Sequence, residues 1–220
     1  PARFAARRVL YVFRCMVDAD IPMNEGCLKP INIEIPDGCL LAPEPPAAVV
    51  AGNVETSQAI CDALFGALGA MAACQGTMNN LTFGNERLQY YETICGGAGA
   101  GEGFHGADAV HTHMTNSRLT DPEVLEWRFP VRLLNFSIRA GTGGAGAWRG
   151  GCGMVLSFRV LTDGTHILGR GMERLMFRPW GQAGGQPGLP GSLVVNEGCP
   201  RERRLGKLDV LEVNAGDIVT

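Results

Sequence analysis

No stretch of this 220-residue sequence approaches the roughly 20 consecutive apolar residues that cross a lipid bilayer. Its first residues also lack the charged, apolar and small-residue layout of a secretory signal. Basic and acidic side chains nearly balance, at 19 and 22, so no excess positive charge is present to attract nucleic acid or an anionic membrane. These absences predict a soluble, cytoplasmic protein that binds neither membranes nor nucleic acid.

The eight cysteines include no CxxC pair, which is the usual spacing in zinc and redox frameworks. Cys61 and Cys74 fall inside an apolar helical pattern, where a thiol behaves as a small buried hydrophobe. We therefore expect reduced and mostly buried thiols. Cys95, which precedes two glycines, could be a nucleophile, but a buried thiol is the favoured interpretation.

Several catalytic signatures are also missing. No G-x-S-x-G elbow is present, so a serine hydrolase has little support. The string "GTGGAGAWRGGCG" at 141–153 lacks the Lys-Ser/Thr end of a phosphate-binding loop, which leaves a structural corner as the favoured reading and an anion-binding nest as the alternative. "GEGFHG" at 101–106 fits G-x-G-x-x-G, but the residues after it do not begin like a helix, so a dinucleotide site is not expected.

Hydrophobic periodicity predicts an α+β fold with helices in the N-terminal part, glycine-rich corners and a β-rich C-terminal third. The whole chain is expected to form one unit, 1–220, with a possible sub-boundary near 130 between a mixed part and a mainly β part. It begins without methionine inside an apparent helix and ends in an apparent strand, which suggests a piece of a longer polypeptide. The expected elements are helices at 4–17 and 52–74, a strand at 31–35, a hairpin formed by 79–85 and 87–95, and strands from 131 onward.

Two polar segments are candidates for a functional site. Asn53, Glu55 and Thr56 begin the predicted helix at 52–74, where backbone amides favour an anionic ligand and capping is an equally good explanation. His111 and His113 would share one face of a strand and could chelate a metal there, whereas on a helix they would diverge. The spacing alone leaves a metal role weak and a polar or structural role open.

A short helix is predicted after these histidines. Thr120 or Asp121 suits the N-cap, Pro122 suits the first helical position, and Glu123 suits the positive end of the helix dipole. The favoured role of Asp121 and Glu123 is therefore capping. The polar residues around them indicate either a site or a buried ionic network.

Longer strings resemble a known family. "GNVETSQAICDALFGALGAMAACQGTMNN", "YYETICGGAGAGEGFHG", "HTHMTNSRLTDPEVLEWRFPVRL" and "GTGGAGAWRGGCG" are similar to the hydantoinase B/oxoprolinase family, and most closely to its bacterial ATP-dependent 5-oxoprolinases. The resemblance implies opening of the 5-oxoproline lactam to glutamate, with ATP used by an actin-like hydantoinase A portion that phosphorylates the substrate. The B portion would hydrolyse the activated intermediate, because phosphorylating a lactam oxygen turns a poor electrophile into a good one.

The resemblance also implies what lies elsewhere. ATP and a divalent metal are expected for the full enzyme but bound mainly outside this chain, which is assigned no cofactor or metal ligand and is expected to be inactive alone. The implied partners are the hydantoinase A-like portion, fused or separate, the substrate 5-oxoproline and further copies in a homo-oligomer. Hydantoins, other lactams, ketones or a purely structural scaffold remain alternatives.

Candidate residues follow from the polar segments and the resemblance together. His and Glu side chains can be tuned toward a neutral pKa, which suits proton transfer. Where relatives carry acidic or arginine-rich motifs, this chain has His105, Cys152 and Leu175, which weakens the case for an anion site at the corners. The catalytic candidates are Glu55, Glu92, His111, His113 and Asn116, and the substrate-binding candidates are Asn53, Thr56 and Arg118.

Overall fold

Three α-helices and two antiparallel sheets make up the part of the chain described by the computed structural model, namely residues 2–50, 52–113, 115 and 117–220. The α+β prediction is therefore confirmed, as is the strand-rich C-terminal third. The helices are α1 (Ala2–Met16), α2 (Ser57–Ala67) and α3 (Pro122–Arg128). The strands are β1 (Asn80–Gly84), β2 (Gln89–Thr93), β3 (Val131–Ile138), β4 (Met154–Val160), β5 (Thr165–Arg170), β6 (Val194–Val195), β7 (Arg203–Arg204), β8 (Leu208–Val213) and β9 (Ile218–Val219).

The two sheets have the strand orders β2-β1-β5-β8 and β3-β4-β9-β6-β7. The predicted hairpin is confirmed, because β1 pairs with β2 in a register that sets Gly84 opposite Gln89. On its other edge β1 pairs with β5, so the first sheet joins strands from both sides of position 130. The proposed sub-boundary near 130 stays a prediction.

Aromatic rings from both sheets form the centre of the main hydrophobic core. Phe83 of β1 stacks on Tyr90 of β2 with ring centroids 4.5 Å apart, and it contacts Phe158 of β4 at 5.0 Å. Phe158 and Ile167 of β5 are fully buried. Contacts of this kind stabilise the packing of one sheet on the other beyond the burial of area alone.

The N-terminal helices pack on each other in a smaller core. Val12 of α1 packs against Cys61 and Phe65 of α2. Val12 and Cys61 are fully buried. The predicted helix at 4–17 is thus confirmed by α1. Within the described residues, no helix is both long and apolar enough to cross a membrane.

Two predicted elements differ from the structure. Residues 31–35 alternate between half-buried and exposed as expected, but they pair with no strand among the described residues. Pro30 and Pro36 flank them, and proline cannot donate a ladder hydrogen bond. The helix predicted over 52–74 begins with a π-helical turn (Gly52–Thr56) and ends at Ala67, because Gly69 adopts a φ of 69° and closes it.

Helix α3 begins where the sequence predicts. The Asp121 carboxylate accepts hydrogen bonds from the backbone amides of Glu123 and Val124, at 2.9 and 3.4 Å. Pro122 fills the first helical position. Capping therefore accounts for Asp121, as the sequence indicated.

Candidate functional site

Helix α2 carries a buried polar face, although most of its residues are apolar. Glu55, Gln58 and Asp62 follow one another at spacings of three and four, which places them on one side of the helical turn. Gln58 and Asp62 are 1% and 4% exposed, and the Gln58 amide bonds to the Thr115 hydroxyl. Burial of polar groups costs free energy unless they form hydrogen bonds, so the side chains of this face need partners elsewhere in the chain.

Asp62 is the centre of this face. Its Oδ1 lies 3.0 Å from His113 Nε2 and accepts a hydrogen bond from the Cys74 amide, also at 3.0 Å. Its Oδ2 lies 3.8 Å from the Arg174 guanidinium. Burial of the ring lowers the pKa of His113, but hydrogen bonds to Asp62 and Cys74 outweigh this effect and raise the pKa to about 9. The His113 ring is therefore protonated at neutral pH.

Glu55 lies about two turns before Asp62 on the same face, in the π-helical turn that precedes α2. Its carboxylate accepts hydrogen bonds from the Thr77 hydroxyl and from the Met78 amide, the latter at 3.3 Å. The same Thr77 hydroxyl also lies within hydrogen-bond distance of the Gly171 carbonyl, so it brings this turn close to the end of β5. Burial raises the pKa of Glu55, while the bonds from Thr77 and Met78 counteract part of the shift. A carboxylate with a raised pKa is suited to accept and release a proton.

The two histidines of the H-x-H motif do not face a common point. The chain is not in a strand here, and His113 adopts a φ of 51°, which turns its ring toward α2. His111 instead places Nε2 2.9 Å from the Thr93 carbonyl at the end of β2. The two rings therefore do not chelate a metal as a pair.

Like His111, Glu92 makes hydrogen bonds that join the 111–120 segment to β2. It is buried on β2, where it accepts hydrogen bonds from the Tyr90 hydroxyl and the Thr120 amide, both at 2.8 Å. Together Glu92 and His111 attach both ends of the 111–120 segment to β2. The structure thus divides the predicted residues into Glu55 and His113 on α2's side and Glu92 and His111 at β2.

Of the remaining candidates, the structure describes Asn53, Thr56 and Arg118. Asn53 is exposed, and its carbonyl accepts a hydrogen bond from the Ser57 hydroxyl at 2.6 Å. Thr56 caps α2 without a side-chain hydrogen bond. Arg118 is exposed, and Asn116 lies outside the described residues.

The glycine-rich segments meet in a corner held by backbone contacts. A Cβ atom on Gly97 would overlap the carbonyl of Gly151, and one on Gly151 would overlap that of Ala107. The amides of Gly106 and Gly151 already donate to the carbonyls of Arg149 and Ala98, both at 2.9 Å. Because these donors are used within the chain, the structural reading of the corner is favoured over a phosphate cradle.

A local charge cluster completes this corner. The Asp108 carboxylate accepts a hydrogen bond from the Cys152 amide at 2.7 Å and lies 3.3 Å from the Arg149 guanidinium. Arg149 also donates to the Cys152 thiol, and its amide donates to His105 Nδ1, each at 2.8 Å. Arg149 therefore has partners in the chain itself, consistent with a structural role.

All eight cysteines are free thiols, as the sequence predicts. Cys95 is buried and donates to the Met154 sulfur at 3.4 Å. Burial raises the pKa of Cys95 to about 11, so the thiol stays protonated at neutral pH. This environment matches a packed thiol and not an activated nucleophile.

A cavity of about 1020 Å³ opens beside the corner. Trp148, Trp180, Gln75 and Arg174 line it, together with many glycines, and none of the candidates Glu55, Glu92, His111 or His113 does. Arg174 connects the cavity to α2, because the same guanidinium lies beside Asp62.

Comparison with known proteins identifies the family of this chain. The family model described as hydantoinase B/oxoprolinase matches residues 1–220. The chain belongs to the hydantoinase B/oxoprolinase family. A solved structure, the ATP-dependent caprolactamase from Pseudomonas jessenii, has a similar fold and superposes with a TM-score of 0.67 at 20% identity, over 96% of this chain and 40% of that one.

Several relatives carry the name 5-oxoprolinase, and two of them match the whole of this chain. The chain is 44% identical over 221 residues to 5-oxoprolinase 1 of Arabidopsis thaliana and 42% identical over 220 residues to 5-oxoprolinase of Dictyostelium discoideum. In both comparisons all of this chain is covered but only 17% of the relative. Both relatives are eukaryotic, so they support the oxoprolinase group without singling out its bacterial members.

Sequence reasoning missed Gln58, Asp62, Cys74 and Arg174. One signal was available, because Gln58 and Asp62 repeat the helical spacing of Glu55 within an apolar helix. Cys74 and Arg174 carried no comparable signal, since their proximity to Asp62 depends on tertiary packing. Asp62, Cys74 and His113 are the residues of the described chain whose donor atoms could hold a metal ion.

Proposed function

We propose that this chain is part of the B portion of an ATP-dependent 5-oxoprolinase, which opens the 5-oxoproline lactam to L-glutamate. The observation that carries the proposal is the identity of 44% and 42%, over the whole chain, to 5-oxoprolinases from a plant and an amoeba. The chain spans 17% of those relatives, so the activity belongs to the complete enzyme.

The chemistry explains the need for ATP. A lactam carbonyl is a poor electrophile, and phosphorylating its oxygen creates a leaving group. Water then adds to the activated carbon and loses a proton, and the ring C–N bond breaks as the nitrogen gains a proton, which leaves an acyl phosphate. A second water hydrolyses this acyl phosphate to the carboxylate and inorganic phosphate. In this scheme the hydantoinase A-like partner supplies the phosphorylation, and the B portion assists the proton transfers.

We propose Glu55 for those proton transfers, and we propose that His113 helps to position the reacting groups. Burial raises the pKa of Glu55, which favours a carboxylate able to exchange protons. His113 lies on the same side of α2 through its contact with Asp62. Glu92 and His111 attach the neighbouring segment to β2, and we propose that they position it. We also propose that Asn116 acts near the reaction centre and that Asn53, Thr56 and Arg118 bind substrate.

The test is glutamate formation from 5-oxoproline and ATP by the parent polypeptide with its hydantoinase A-like partner. Glu55→Gln should lower kcat by about 100-fold or more, the usual contribution of a general acid or base. Glu86→Gln, at an exposed position on the β1–β2 turn, should leave turnover unchanged. Full activity in Glu55→Gln would remove this residue from the proposed chemistry.

Substrate choice is tested in the same assay with hydantoin and caprolactam in place of 5-oxoproline. ATP-dependent opening of either compound, with none of 5-oxoproline, would move the assignment to another lactamase of the family.

The 220-residue chain alone should show neither ATPase nor lactamase activity. Glutamate formation by this chain alone would contradict the division of labour proposed here. Cytoplasmic location and a homo-oligomeric state remain predictions.

A further inference from the structure

We propose that Asp62, Cys74 and His113 form a binding site for a divalent transition-metal ion of the zinc class. The site lies within this chain, between α2, the segment that follows it and the turn at His113. The sequence assigned no metal ligand here. The inference concerns metal binding and does not depend on which lactam the parent enzyme opens.

The donor atoms are already gathered. The carboxylate of Asp62, the sulfur of Cys74 and a ring nitrogen of His113 all lie within 4.8 Å of one another. His113 Nε2 and Asp62 Oδ1 are 3.0 Å apart, and these two side chains are 4% and 5% exposed. Small side-chain adjustments suffice to bring such donors to the roughly 2.0–2.3 Å bonds that zinc makes with nitrogen, oxygen and sulfur.

An unsatisfied atom gives an independent indication of a ligand. Among the described residues, Asp62 Oδ2 is buried and has no hydrogen-bond partner. The Arg174 guanidinium lies 3.8 Å from it, which is beyond hydrogen-bond distance. A buried carboxylate oxygen without a donor is costly, and a bound cation would satisfy it.

The surroundings hold the donors in place. The Cys74 amide donates to Asp62 Oδ1 at 3.0 Å, and the Gly99 amide donates to the Cys74 sulfur at 3.2 Å. The Tyr11 hydroxyl lies 3.5 Å from His113 Nδ1. With Nδ1 facing Tyr11, Nε2 is the nitrogen directed at the cluster, an arrangement common among metal-bound histidines.

The donor set selects the class of ion. One thiolate, one imidazole and one carboxylate match zinc, whereas calcium and magnesium require mostly oxygen ligands. The thiolate and the carboxylate together carry two negative charges, which balance a divalent ion bound to neutral His113. Arg174 offsets part of the Asp62 charge. Zinc usually takes four ligands, so one position remains for water or substrate.

Cobalt(II) provides the first test, because it replaces zinc and reports its ligands optically. The chain, stripped of metal with a chelator and titrated with cobalt(II), should bind one equivalent at this site. It should also develop a thiolate-to-cobalt charge-transfer band in the near ultraviolet. X-ray absorption of the zinc-loaded wild type should show a sulfur neighbour at about 2.3 Å. Absence of both sulfur signatures would overturn the proposal without any variant being made.

Variants then assign the ligands. Cys74→Ser should abolish the charge-transfer band and His113→Gln should weaken cobalt binding by about 10-fold or more, the scale of effect seen at metal sites. Cys95→Ser is the matched control, because Cys95 is an equally buried thiol outside the cluster, and it should keep the band. A band retained in Cys74→Ser, or lost only in Cys95→Ser, would contradict the assignment. Circular dichroism of each variant confirms that it is folded before its spectrum is compared.

Discussion

The buried polar face of α2 and the glycine-rich corner are built by opposite means. On α2 and the turn before it, Glu55, Gln58 and Asp62 supply polar side chains that bind partners elsewhere in the chain. In the corner, Gly97 and Gly151 supply no side chain at all, and their backbones meet directly. The first region therefore depends on which functional groups are present, and the second depends on the absence of a Cβ atom.

This difference bears on function. A region of tightly joined backbone uses its amides internally, as Gly106 and Gly151 do, and so offers few free donors to a ligand. A buried polar face keeps titratable groups whose protonation can change, such as Glu55 and His113. Chemistry is expected on α2, and rigidity in the corner.

The largest effect that tests this comparison is expected from Asp62→Ala. The change removes the partner of a buried His113 and the acceptor of the Cys74 amide, and breaking a buried pair costs about 3–5 kcal/mol. Urea unfolding with a chelator present measures the loss. Asp18→Ala, at an exposed position, is the control and should be nearly neutral. A loss of unfolding free energy no larger than that of Asp18→Ala would show that the Asp62–His113 pair is not formed.

Gly151→Ala should rank second. The added Cβ would overlap the Ala107 carbonyl, and forcing an extra carbon into packed structure costs about 1–3 kcal/mol or more. Gly153→Ala is the matched control, because the nearest atom to its new Cβ is Gly96 Cα at 3.9 Å. Thermal unfolding should separate the two variants clearly. Equal melting temperatures would mean that the corner is not held by direct backbone contact.

Asp121→Ala should have a smaller effect, since it removes a contact local in sequence. Losing an N-cap acceptor costs about 1 kcal/mol. Asp121→Asn is the control, because asparagine also caps helices well and should recover most of the stability. Urea unfolding measures both, and equal losses in the two variants would remove capping as the reason for Asp121.

The smallest effect on stability is expected from Glu55→Gln, and this effect depends on pH. Burial raises the pKa of Glu55 above the unfolded value of 4.5, so its stabilising contribution is present below pH 4.5 and is lost as the pH rises through the folded pKa. The isosteric amide does not ionise. The variant should therefore gain stability relative to wild type as the pH rises above 4.5. A constant difference across that range would show that burial does not govern this carboxyl.

How much the sequence could predict depends on how local each signal is. The Asp121 cap, the β1–β2 hairpin and the α+β class follow from residues close in sequence, and all three are confirmed. The expected strand at 31–35 failed, because alternation predicts which residues are buried but not whether a partner strand exists. The association of Asp62 with Cys74 and His113 required tertiary structure, since no periodic pattern relates these positions.

The contacts that surround α2 also bear on when the region forms during folding. Thr77 bonds to the carbonyl of Gly171, 94 residues away, and Gln182 bonds to that of Gly66, 116 residues away. Such pairings lose loop-closure entropy before they return any energy, so they form slowly. The β1–β2 hairpin needs no such closure and can form early. A partly folded chain would thus have its hairpin before it has a site, and recovery of function on refolding should lag behind recovery of secondary structure.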